Sequence, residues 1–374
     1  MGRLFSPYKK PFFMPNYNRR SFLTLSSTLA LGLAAPKLSL GQSPRKIRVA
    51  LLGLGSYSTY QLAPALQLTQ YCELKGIITG SPNKISNWQR KYHIEDKNVY
   101  SYDNMDEIAS NDDIDVVYVV TPTGTHARFV IAAANAGKHV WCEKPMAMTE
   151  TECRSMIAAC NKNGVQLTLG YRVQHEPNTQ TLNGYAQSRP FGIIKSADAA
   201  AGYAGGGGSG WRFQKKMGGG ALYDMGVYTV NGIRNALQME PVEVISAKQY
   251  TSRPSAFREV DETTEYTLRF ERDITAKGKT SVGQGMNHLR VNCESGWYEM
   301  RPMQTYNGVS GSRSDGKQLN IYLENQQAKQ MDDDAFAMLN NRPLQINPDE
   351  GLKDIRIIEA IIESSDTGRS VSLS

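Results

Sequence analysis

The sequence predicts an α/β fold in which an N-terminal doubly wound parallel sheet is followed by a C-terminal α+β domain with a large, mostly antiparallel sheet. Strands alternate with helices from Arg45 to Leu169, and long extended stretches dominate after Gly170. The chain has 374 residues, enough for two domains of roughly 150 residues each. We therefore expect domains at 45–169 and 170–374, preceded by a separate segment, 1–44.

The first segment, 1–44, has the pattern of an export signal. Asn18-Arg19-Arg20-Ser21-Phe22-Leu23 leads into a run without charge that ends at Ala35. Such a run would rise about 21 Å as a helix, less than the roughly 30 Å hydrocarbon core, so it predicts no stable membrane anchor. The paired arginines indicate the twin-arginine export machinery, with cleavage after Gly41 and a periplasmic or secreted product. An amphipathic arm on a cytoplasmic protein is the alternative.

The charge distribution argues against nucleic-acid binding. Six of the 42 basic residues and none of the 36 acidic ones lie in 1–44, so the rest of the chain is balanced. A balanced domain does not attract a polyanion. The five cysteines form no CxxC pair and no zinc pattern, so we expect buried free thiols and no metal site.

The first domain contains a regular series of predicted elements. The predicted strands are 47–52, 74–79, 115–120, 138–142 and 165–169, and the predicted helices are 61–68, 83–92, 126–136, 150–163. Strands that alternate with helices at this spacing favour a parallel sheet with helices on both faces. Pro64 is expected to kink the first helix or limit its first turn.

The second domain has longer extended stretches and fewer helices. The predicted strands are 242–251, 262–270, 279–286 and 289–293, and the predicted helices are 221–237 and 352–363, the latter closed by Gly368. This pattern is typical of an α+β domain. The glycine-rich run 202–210 predicts a mobile loop.

The turn after the first strand indicates a nucleotide site. Gly53-x-Gly55-x-x-Ser58 is a near match to the dinucleotide fingerprint, with serine in place of the third glycine. The first glycine permits the turn and the second lets a pyrophosphate approach the main chain. We expect Ser56 and Tyr57, within this turn, to contact the cofactor too.

The end of the second strand favours NADP over NAD. NAD-binding proteins place an acidic residue there for the ribose 2′-hydroxyl. This chain has Thr79-Gly80-Ser81 and then Lys84, whose hydroxyls and ammonium suit a 2′-phosphate. NAD remains the weaker alternative.

Two further strand ends carry a more specific pattern. Thr121-Pro122-x-x-x-His126 ends one strand and Glu143-Lys144-Pro145 ends the next. With the glycine turn, these motifs resemble the Gfo/Idh/MocA oxidoreductase family over nearly the whole chain after the signal. The resemblance implies a Rossmann domain and a second domain whose open sheet mediates formation of a homo-oligomer, a dimer or a tetramer.

The helix after Gly218-Gly219-Gly220 narrows the resemblance. Where that family has histidine and a last aspartate, this chain has Tyr228 and Asn231. Tyr228 and Gly170-Tyr171-Arg172 resemble the glucose–fructose oxidoreductase branch. That branch is exported by a twin-arginine signal and holds NADP tightly, and its substrates are small sugars and polyols.

The residues themselves suggest a mechanism. Lys144 lies at the carboxyl end of a parallel strand, where ligands of such sheets bind, and Asp224, Tyr228 and Asn231 share one stripe of a helix. We expect Tyr228 to take the proton from the C1 hydroxyl of an aldose, because a neighbouring ammonium favours its phenolate form. We expect Lys144 to stabilise charge on the reacting oxygen and Asp224 to orient Lys144 or accept a sugar hydroxyl.

The remaining site residues divide between sugar and cofactor. Tyr171, Arg172 and Asn231 are expected to line the sugar site, together with the three catalytic candidates. The expected cofactor residues are Gly53, Gly55, Ser56, Tyr57, Thr79, Gly80, Ser81, Lys84, Thr121, Pro122, His126, Glu143, Lys144 and Arg172.

Structural alternatives exist for the same residues. Glu143 and Lys144 could form a surface ion pair, and the polar stripe of the Tyr228 helix could be a solvated face. His126 is more typical of a packing residue at a helix start than of a catalyst.

The sequence therefore predicts an NADP-dependent oxidoreductase that moves hydride between C1 of an aldose and the nicotinamide, coupled to reduction of a ketose. An NAD-dependent glycoside hydrolase of the same superfamily is one alternative. A sugar-binding protein without catalytic activity is the other.

Overall fold

The first half of the chain forms a six-stranded sheet in which every pair of neighbouring strands is parallel. It is seen in a computed structural model that describes residues 45–205 and 210–373. The strand order β3-β2-β1-β4-β5-β6 confirms the predicted doubly wound arrangement. The strands are β1 (Ile47–Leu52), β2 (Cys72–Ile78), β3 (Val99–Tyr100), β4 (Val116–Val119), β5 (His139–Cys142) and β6 (Leu167–Leu169).

Two predictions fall outside the described residues. They are the export segment 1–44, with its cleavage site after Gly41, and residues 206–209 of the glycine-rich run.

The central strands are apolar because helices cover both faces of the sheet. All four residues of β4 and five of the six in β1 are buried. A fully buried aliphatic side chain contributes about 1.5–3 kcal/mol, so these two strands anchor the sheet. The carboxyl ends of β1 and β4 point the same way and lie side by side at the point where the strand order reverses. Ligands of this fold bind at that edge.

The helices of this half follow the prediction with shifted ends. They are α1 (Ala63–Leu66), α2 (Ile85–Tyr92), α3 (His126–Asn135) and α4 (Glu150–Lys162). The helix predicted at 61–68 begins earlier, as a π-helical turn over Ser58–Leu62, and ends at Leu66. Pro64 is accommodated near the start of α1, where its missing N–H costs little.

The second half forms a nine-stranded sheet, in the order β14-β13-β12-β11-β7-β10-β9-β8-β15. Only the β7–β10 pair is parallel, which confirms a mostly antiparallel sheet. The strands are β7 (Ile194–Gly202), β8 (Glu243–Tyr250), β9 (Thr263–Arg269), β10 (Thr275–Ser281), β11 (Met286–Cys293), β12 (Trp297–Met300), β13 (Gly311–Arg313), β14 (Gln318–Leu319) and β15 (Val371–Ser372).

The strand predicted at 279–286 is wrong. β10 ends at Ser281 and β11 begins at Met286, with Gly283 and Gly285 in the connection. The two strands lie on opposite sides of β7, so the chain has to cross between them. Gly202, predicted as the start of a loop, is the last residue of β7.

Four α-helices follow β6 in the described part of the chain, and two of them were predicted. They are α5 (Pro177–Ser188), α6 (Val227–Leu237), α7 (Gln326–Leu339) and α8 (Pro348–Thr367). The predicted helix at 221–237 corresponds to α6 and the π-helical turn Leu222–Gly226 before it. The helix predicted at 352–363 is the longer α8, which Gly368 ends in the left-handed conformation at φ 66°.

Helix α7 returns to the first sheet. Ala328, Met331 and Ala335 pack into the same apolar cluster as Val49 and Leu51 of β1. The side chain of Gln330 donates to the hydroxyl of Tyr118 at 3.2 Å. Helix α7 therefore covers the first sheet although it follows the strands of the second, and residues 45–373 belong to one compact unit. The domain boundary at 169/170 stays a prediction.

All five cysteines are free, as predicted, and four of them are buried. Within 45–205 and 210–373, no helix has both the length and the apolar character to cross a membrane.

Candidate active site

The glycine turn after β1 leaves its outer side open. Gly53 has φ 97°, and a Cβ atom there would lie 2.6 Å from the carbonyl oxygen of Val120. At Gly55, by contrast, a Cβ would meet no atom of the described chain within 4 Å. Ser58 replaces the third glycine by donating its buried hydroxyl to the Gly53 carbonyl at 2.5 Å. The turn therefore keeps the shape that lets a pyrophosphate approach at Gly55.

The segment after β2 brings the Lys84 ammonium next to this turn. The Lys84 ammonium donates to the carbonyl oxygen of Leu54 at 2.7 Å, so it lies beside the glycine turn. In the part of the chain that the structure describes, Lys84 forms no ion pair with a carboxylate. Thr79 is buried, and its hydroxyl accepts from the main-chain N–H of Ser81 at 3.0 Å. The arrangement fits a phosphate group better than a neutral hydroxyl.

His126 connects the two specific strand ends. Its Nε2 lies 2.8 Å from the Thr121 carbonyl oxygen and its Nδ1 lies 2.9 Å from that of Pro145. Burial lowers the pKa of this imidazole. Main-chain carbonyl oxygens lie beside both ring nitrogens, and the expectation that His126 contacts the cofactor stays a prediction. Its contacts match the structural alternative, in which it positions the Thr121 and Pro145 loops.

Glu143 and Lys144 do not form a surface ion pair. Glu143 is buried and accepts from the Tyr118 hydroxyl at 2.7 Å. Burial raises the pKa of Glu143, and the hydrogen bond and nearby cations only partly offset that effect. Lys144 extends towards α6, where its ammonium lies 4.5 Å from the centre of the Tyr228 ring.

Lys144 stays charged in this environment. Burial alone would lower its pKa, but the neighbouring Tyr228, Asp224 and Glu143 outweigh burial and raise it. The ammonium donates to the main-chain carbonyl oxygen of Asp224 at 3.1 Å. It is thereby held beside Tyr228 as a cation.

The glycines before α6 allow close packing at the start of the helix. A Cβ at Gly219 would lie 2.4 Å from the carbonyl oxygen of Arg212, and one at Gly220 would lie 2.1 Å from a carboxylate oxygen of Asp261. Asp261 in turn accepts from the Leu222 N–H at 2.9 Å, and so caps the first turn. These contacts fix where Asp224 and Tyr228 enter the cleft.

Asp224 is oriented differently from the expectation. Its carboxylate accepts from the Tyr203 hydroxyl and from Nε of Arg212, each at 3.0 Å. The side chain does not orient Lys144, since the main-chain carbonyl does so instead. The π-helical turn Leu222–Gly226 is the physical reason, because its wider turn takes Asp224 out of the α-helical register assumed for Tyr228 and Asn231.

Arg172 is a second cation close to Tyr228. Its guanidinium carbon is 5.7 Å from the centre of the Tyr228 ring and 4.8 Å from that of Tyr306. The side chain is 2% exposed and donates to the Thr305 carbonyl oxygen at 2.8 Å. Two cations, Lys144 and Arg172, thus lie close to the Tyr228 ring.

Tyr171 and Asn231 are directed into the protein interior. The Tyr171 hydroxyl and the Asn231 amide both donate to Asp354 of α8, at 2.5 Å and 2.9 Å. Both residues line a small cavity beside Tyr228, but these polar groups are already paired. The expectation that they bind sugar hydroxyls stays a prediction.

Sequence reasoning missed three residues of the site. Tyr306 is 42% exposed, and its ring lies 6.0 Å from that of Tyr57 in the glycine turn. Tyr203 and Arg212 flank Asp224 and line a second small cavity with it. All three lie outside the α-helices and β-strands, in segments that carry no recognised catalytic motif. No sequence signal could therefore have identified them.

The structure thus gathers Lys144, Tyr228, Arg172 and the backbone of Asp224 at the carboxyl edge of the parallel sheet, next to the glycine turn. In residues 45–205 and 210–373, no group of three or more histidine, cysteine or acidic side chains could hold a metal ion. The chemistry available here is that of a cation pair around a phenol.

Family models match both halves of the chain. Residues 47–171 match an oxidoreductase family with an NAD-binding Rossmann fold, Gfo/Idh/MocA. Residues 179–299 match the Gfo/Idh/MocA C-terminal domain.

Individual proteins are similar over most of their length. The solved structure of an aldose-aldose oxidoreductase from Caulobacter crescentus, complexed with glycerol, is 34% identical, with a TM-score of 0.84, 88% of this chain covered and 100% of that one. A D-xylose 1-dehydrogenase [NADP(+)] from Haloarcula marismortui is 24% identical over 87% of this chain and 93% of its own. A 3-ketoreductase from Actinomadura kijaniata, solved with NADP and TDP-benzene, shares the fold at 22% identity and a TM-score of 0.75, over 86% of this chain and 98% of that one.

Proposed function

Because the chain belongs to the Gfo/Idh/MocA oxidoreductase family, we propose that it is an NADP-dependent sugar oxidoreductase that oxidises an aldose at C1. The observation that carries the proposal is the placement of the Lys144 ammonium 4.5 Å from the Tyr228 ring, at the edge of the sheet where a dinucleotide binds. The two alternatives, a glycoside hydrolase and a sugar-binding protein, are distinguished by the absorbance experiment described below.

The residues around the glycine turn fit NADP. The open side of Gly55 would receive the pyrophosphate, and the Lys84 ammonium with Ser81 would hold the 2′-phosphate. Relatives named for NADP support the same choice. When bound, the nicotinamide accepts or returns a hydride.

Tyr228 is the proton acceptor of the proposed reaction. Oxidation of the C1 hydroxyl to a lactone removes a hydride from C1 and a proton from the hydroxyl oxygen. The Tyr228 oxygen, in its deprotonated form beside two cations, takes that proton and becomes a neutral phenol. Lys144 and Arg172 supply those cations.

Lys144 has a second role. Its ammonium remains charged and is held by the Asp224 carbonyl, so it can donate to the reacting oxygen of the sugar. In the reverse direction the same pair, Lys144 and Tyr228, returns a proton to the oxygen of a carbonyl substrate. Asp224, Tyr203 and Arg212 supply donors and acceptors for the remaining hydroxyl groups.

The acceptor of the electrons is a second sugar. We base this on the similarity to an aldose-aldose oxidoreductase and on the earlier resemblance to the glucose–fructose branch. The second sugar can be a ketose or another aldose, which is reduced to a polyol at the same site. This coupling requires NADP to stay bound between the two half-reactions.

The absorbance of the purified protein tests the proposal. Glucose or xylose should produce the near-ultraviolet band of reduced nicotinamide, and fructose or a second aldose should remove it. Release of phenol from an aryl glycoside without net nicotinamide reduction would instead identify a glycoside hydrolase. Sugar-dependent thermal stabilisation without any reduction would identify a binding protein.

Location and assembly complete the proposal. We propose export through the twin-arginine machinery, because of Arg19-Arg20 and the uncharged run after them. Replacing both arginines by lysine should leave the protein in the cytoplasm. We further propose a homo-oligomer formed through the nine-stranded sheet, where Ile245 and Tyr250 of β8 are exposed. Light scattering should then give the mass of a dimer or tetramer.

A further inference from the structure

A single carboxylate beneath the site accepts three hydrogen bonds. Asp354 of α8 is 0% exposed. One of its oxygens accepts from the Tyr171 hydroxyl at 2.5 Å and from the Asn231 amide at 2.9 Å. The other accepts from the guanidinium of Arg234. Both oxygens of this buried carboxylate are thus hydrogen-bonded to named donors.

The charge of this cluster is partly balanced inside the protein. Arg234 is 3% exposed and also pairs with Glu240 at 2.6 Å and with Glu350 at 3.1 Å. Burial raises the pKa of Asp354, and Arg234, Tyr171 and Asn231 counteract that rise. Removal of one partner from such a buried set leaves the others unpaired, which is costly.

The three donors belong to the two segments that carry the catalytic groups. Tyr171 directly precedes Arg172, and Asn231 lies three residues after Tyr228 on α6. Asp354 therefore connects the Arg172 segment to the Tyr228 helix. The distance of 5.7 Å between the Arg172 guanidinium and the Tyr228 ring is set where these two segments meet.

Asn231 can fill its place only as an amide. Its nitrogen donates to Asp354, and its oxygen accepts from the Gln174 side chain at 2.8 Å. An ionised aspartate has no hydrogen to donate and would place a second negative charge against Asp354. The presence of asparagine, where the family resemblance leads one to expect aspartate, is thus explained by the carboxylate at 354.

We propose that Asp354 is a positioning residue, which acts through Asn231 and Tyr171 to hold Tyr228 and Arg172 at their reactive separation. This inference rests on the proposed function, because it assigns a task in aldose oxidation. It also implies that residues 231 and 354 form an exchangeable amide–carboxylate pair.

An exchange of the pair tests the proposal. Four proteins are compared: the unmodified chain, Asn231→Asp, Asp354→Asn and the double variant that carries both changes. For each protein, kcat and KM for glucose or xylose, the affinity for NADP and the thermal midpoint of unfolding are measured. Tyr185→Phe serves as the matched control, since Tyr185 is buried in α5 outside the cluster.

We expect each single variant to lower kcat roughly tenfold to a hundredfold, because a small displacement of reacting groups has effects of that size. NADP affinity should stay within about twofold, since the glycine turn is untouched. The double variant restores an amide opposite a carboxylate, so its kcat should recover at least about tenfold over Asn231→Asp. Tyr185→Phe should keep the kcat of the unmodified chain.

Two results would overturn the inference. One is a kcat within about twofold of the unmodified chain for both single variants, and the other is a double variant whose losses are the product of the single losses. A single variant that does not fold leaves the double variant decisive, because only an exchangeable pair restores both the thermal midpoint and kcat. An unmodified chain that oxidises no aldose overturns the proposed function itself, a result distinct from both.

Discussion

Replacing Tyr228 with phenylalanine removes the proposed proton acceptor and little else. The ring stays close to Lys144 and Arg172, whose charged groups lie 4.5 Å and 5.7 Å from its centre, so the cation–ring contacts persist. A positioned proton acceptor contributes about 10²- to 10⁴-fold, or about 3–5 kcal/mol of the barrier. Loss of one hydroxyl should change the free energy of unfolding by only about 1 kcal/mol.

The assay for this variant is the single-turnover reduction of bound nicotinamide by glucose or xylose, followed by its near-ultraviolet absorbance. We expect the rate to fall by about 10²- to 10⁴-fold while NADP stays bound. Tyr322→Phe is the control, since Tyr322 is 85% exposed. A variant that reduces nicotinamide at the rate of the unmodified protein would falsify the assignment of Tyr228.

Three further predictions concern charged residues around the site and in α7. Lys84→Ser should weaken NADP binding roughly tenfold and leave NAD binding within about twofold, by fluorescence titration, because one phosphate contact is lost; equal losses for both would contradict a 2′-phosphate site at Lys84. Arg212→Met should raise KM for the aldose more than it lowers kcat, because Asp224 loses its ion pair at 3.0 Å; an unchanged KM would exclude a substrate role for the pair. Burial, with Asp333 adding to it, raises the pKa of Asp334 well above its usual value, and neither of its oxygens has a hydrogen-bond partner among the described residues. Between about pH 4 and that raised pKa the folded state keeps this proton while the unfolded state loses its own, so the stability of the unmodified protein falls as pH rises. Asp334→Asn should therefore gain up to about 1.4 kcal/mol over the unmodified protein per pH unit in that range, measured by urea unfolding, and a gain that does not change with pH would refute this.

The first sheet and the edge that holds the site were predictable because they depend on local patterns. Apolar runs separated by helical periods define a parallel sheet, and the carboxyl ends of parallel strands meet at one edge. The glycine turn, Thr121, Glu143 and Lys144 could therefore be brought together from sequence alone. The cation beside the turn, Lys84, follows from the same rule.

The orientation of side chains was less predictable. The stripe of Asp224, Tyr228 and Asn231 assumed an α-helix throughout, whereas the first turn is π-helical and turns Asp224 towards Arg212. Asn231 points inward because its amide donates to Asp354. This partner lies 123 residues away along the chain, so the sequence around Asn231 does not reveal it. Neither a change of helix type nor a distant partner leaves a periodic signal.

Short strands and connecting segments were the least predictable. The reversal at Gly283 and Gly285 lies inside a run that reads as continuously extended, so one strand was predicted in place of parts of two. Tyr306 enters the site from a segment of irregular backbone between β12 and β13. Tertiary packing, and not local preference, determines its position.

The pairing of Asp224 with Arg212 changes the electrostatics that the sequence suggested. Had the Asp224 carboxylate bound Lys144, it would have neutralised the ammonium that the reaction needs. Instead Arg212 balances the carboxylate, while Lys144 is held by a carbonyl oxygen, which carries only a partial charge. Lys144 and Arg172 therefore remain positively charged beside Tyr228. A site with this charge distribution stabilises a negatively charged reacting oxygen, which is what removal of a proton from a sugar hydroxyl requires.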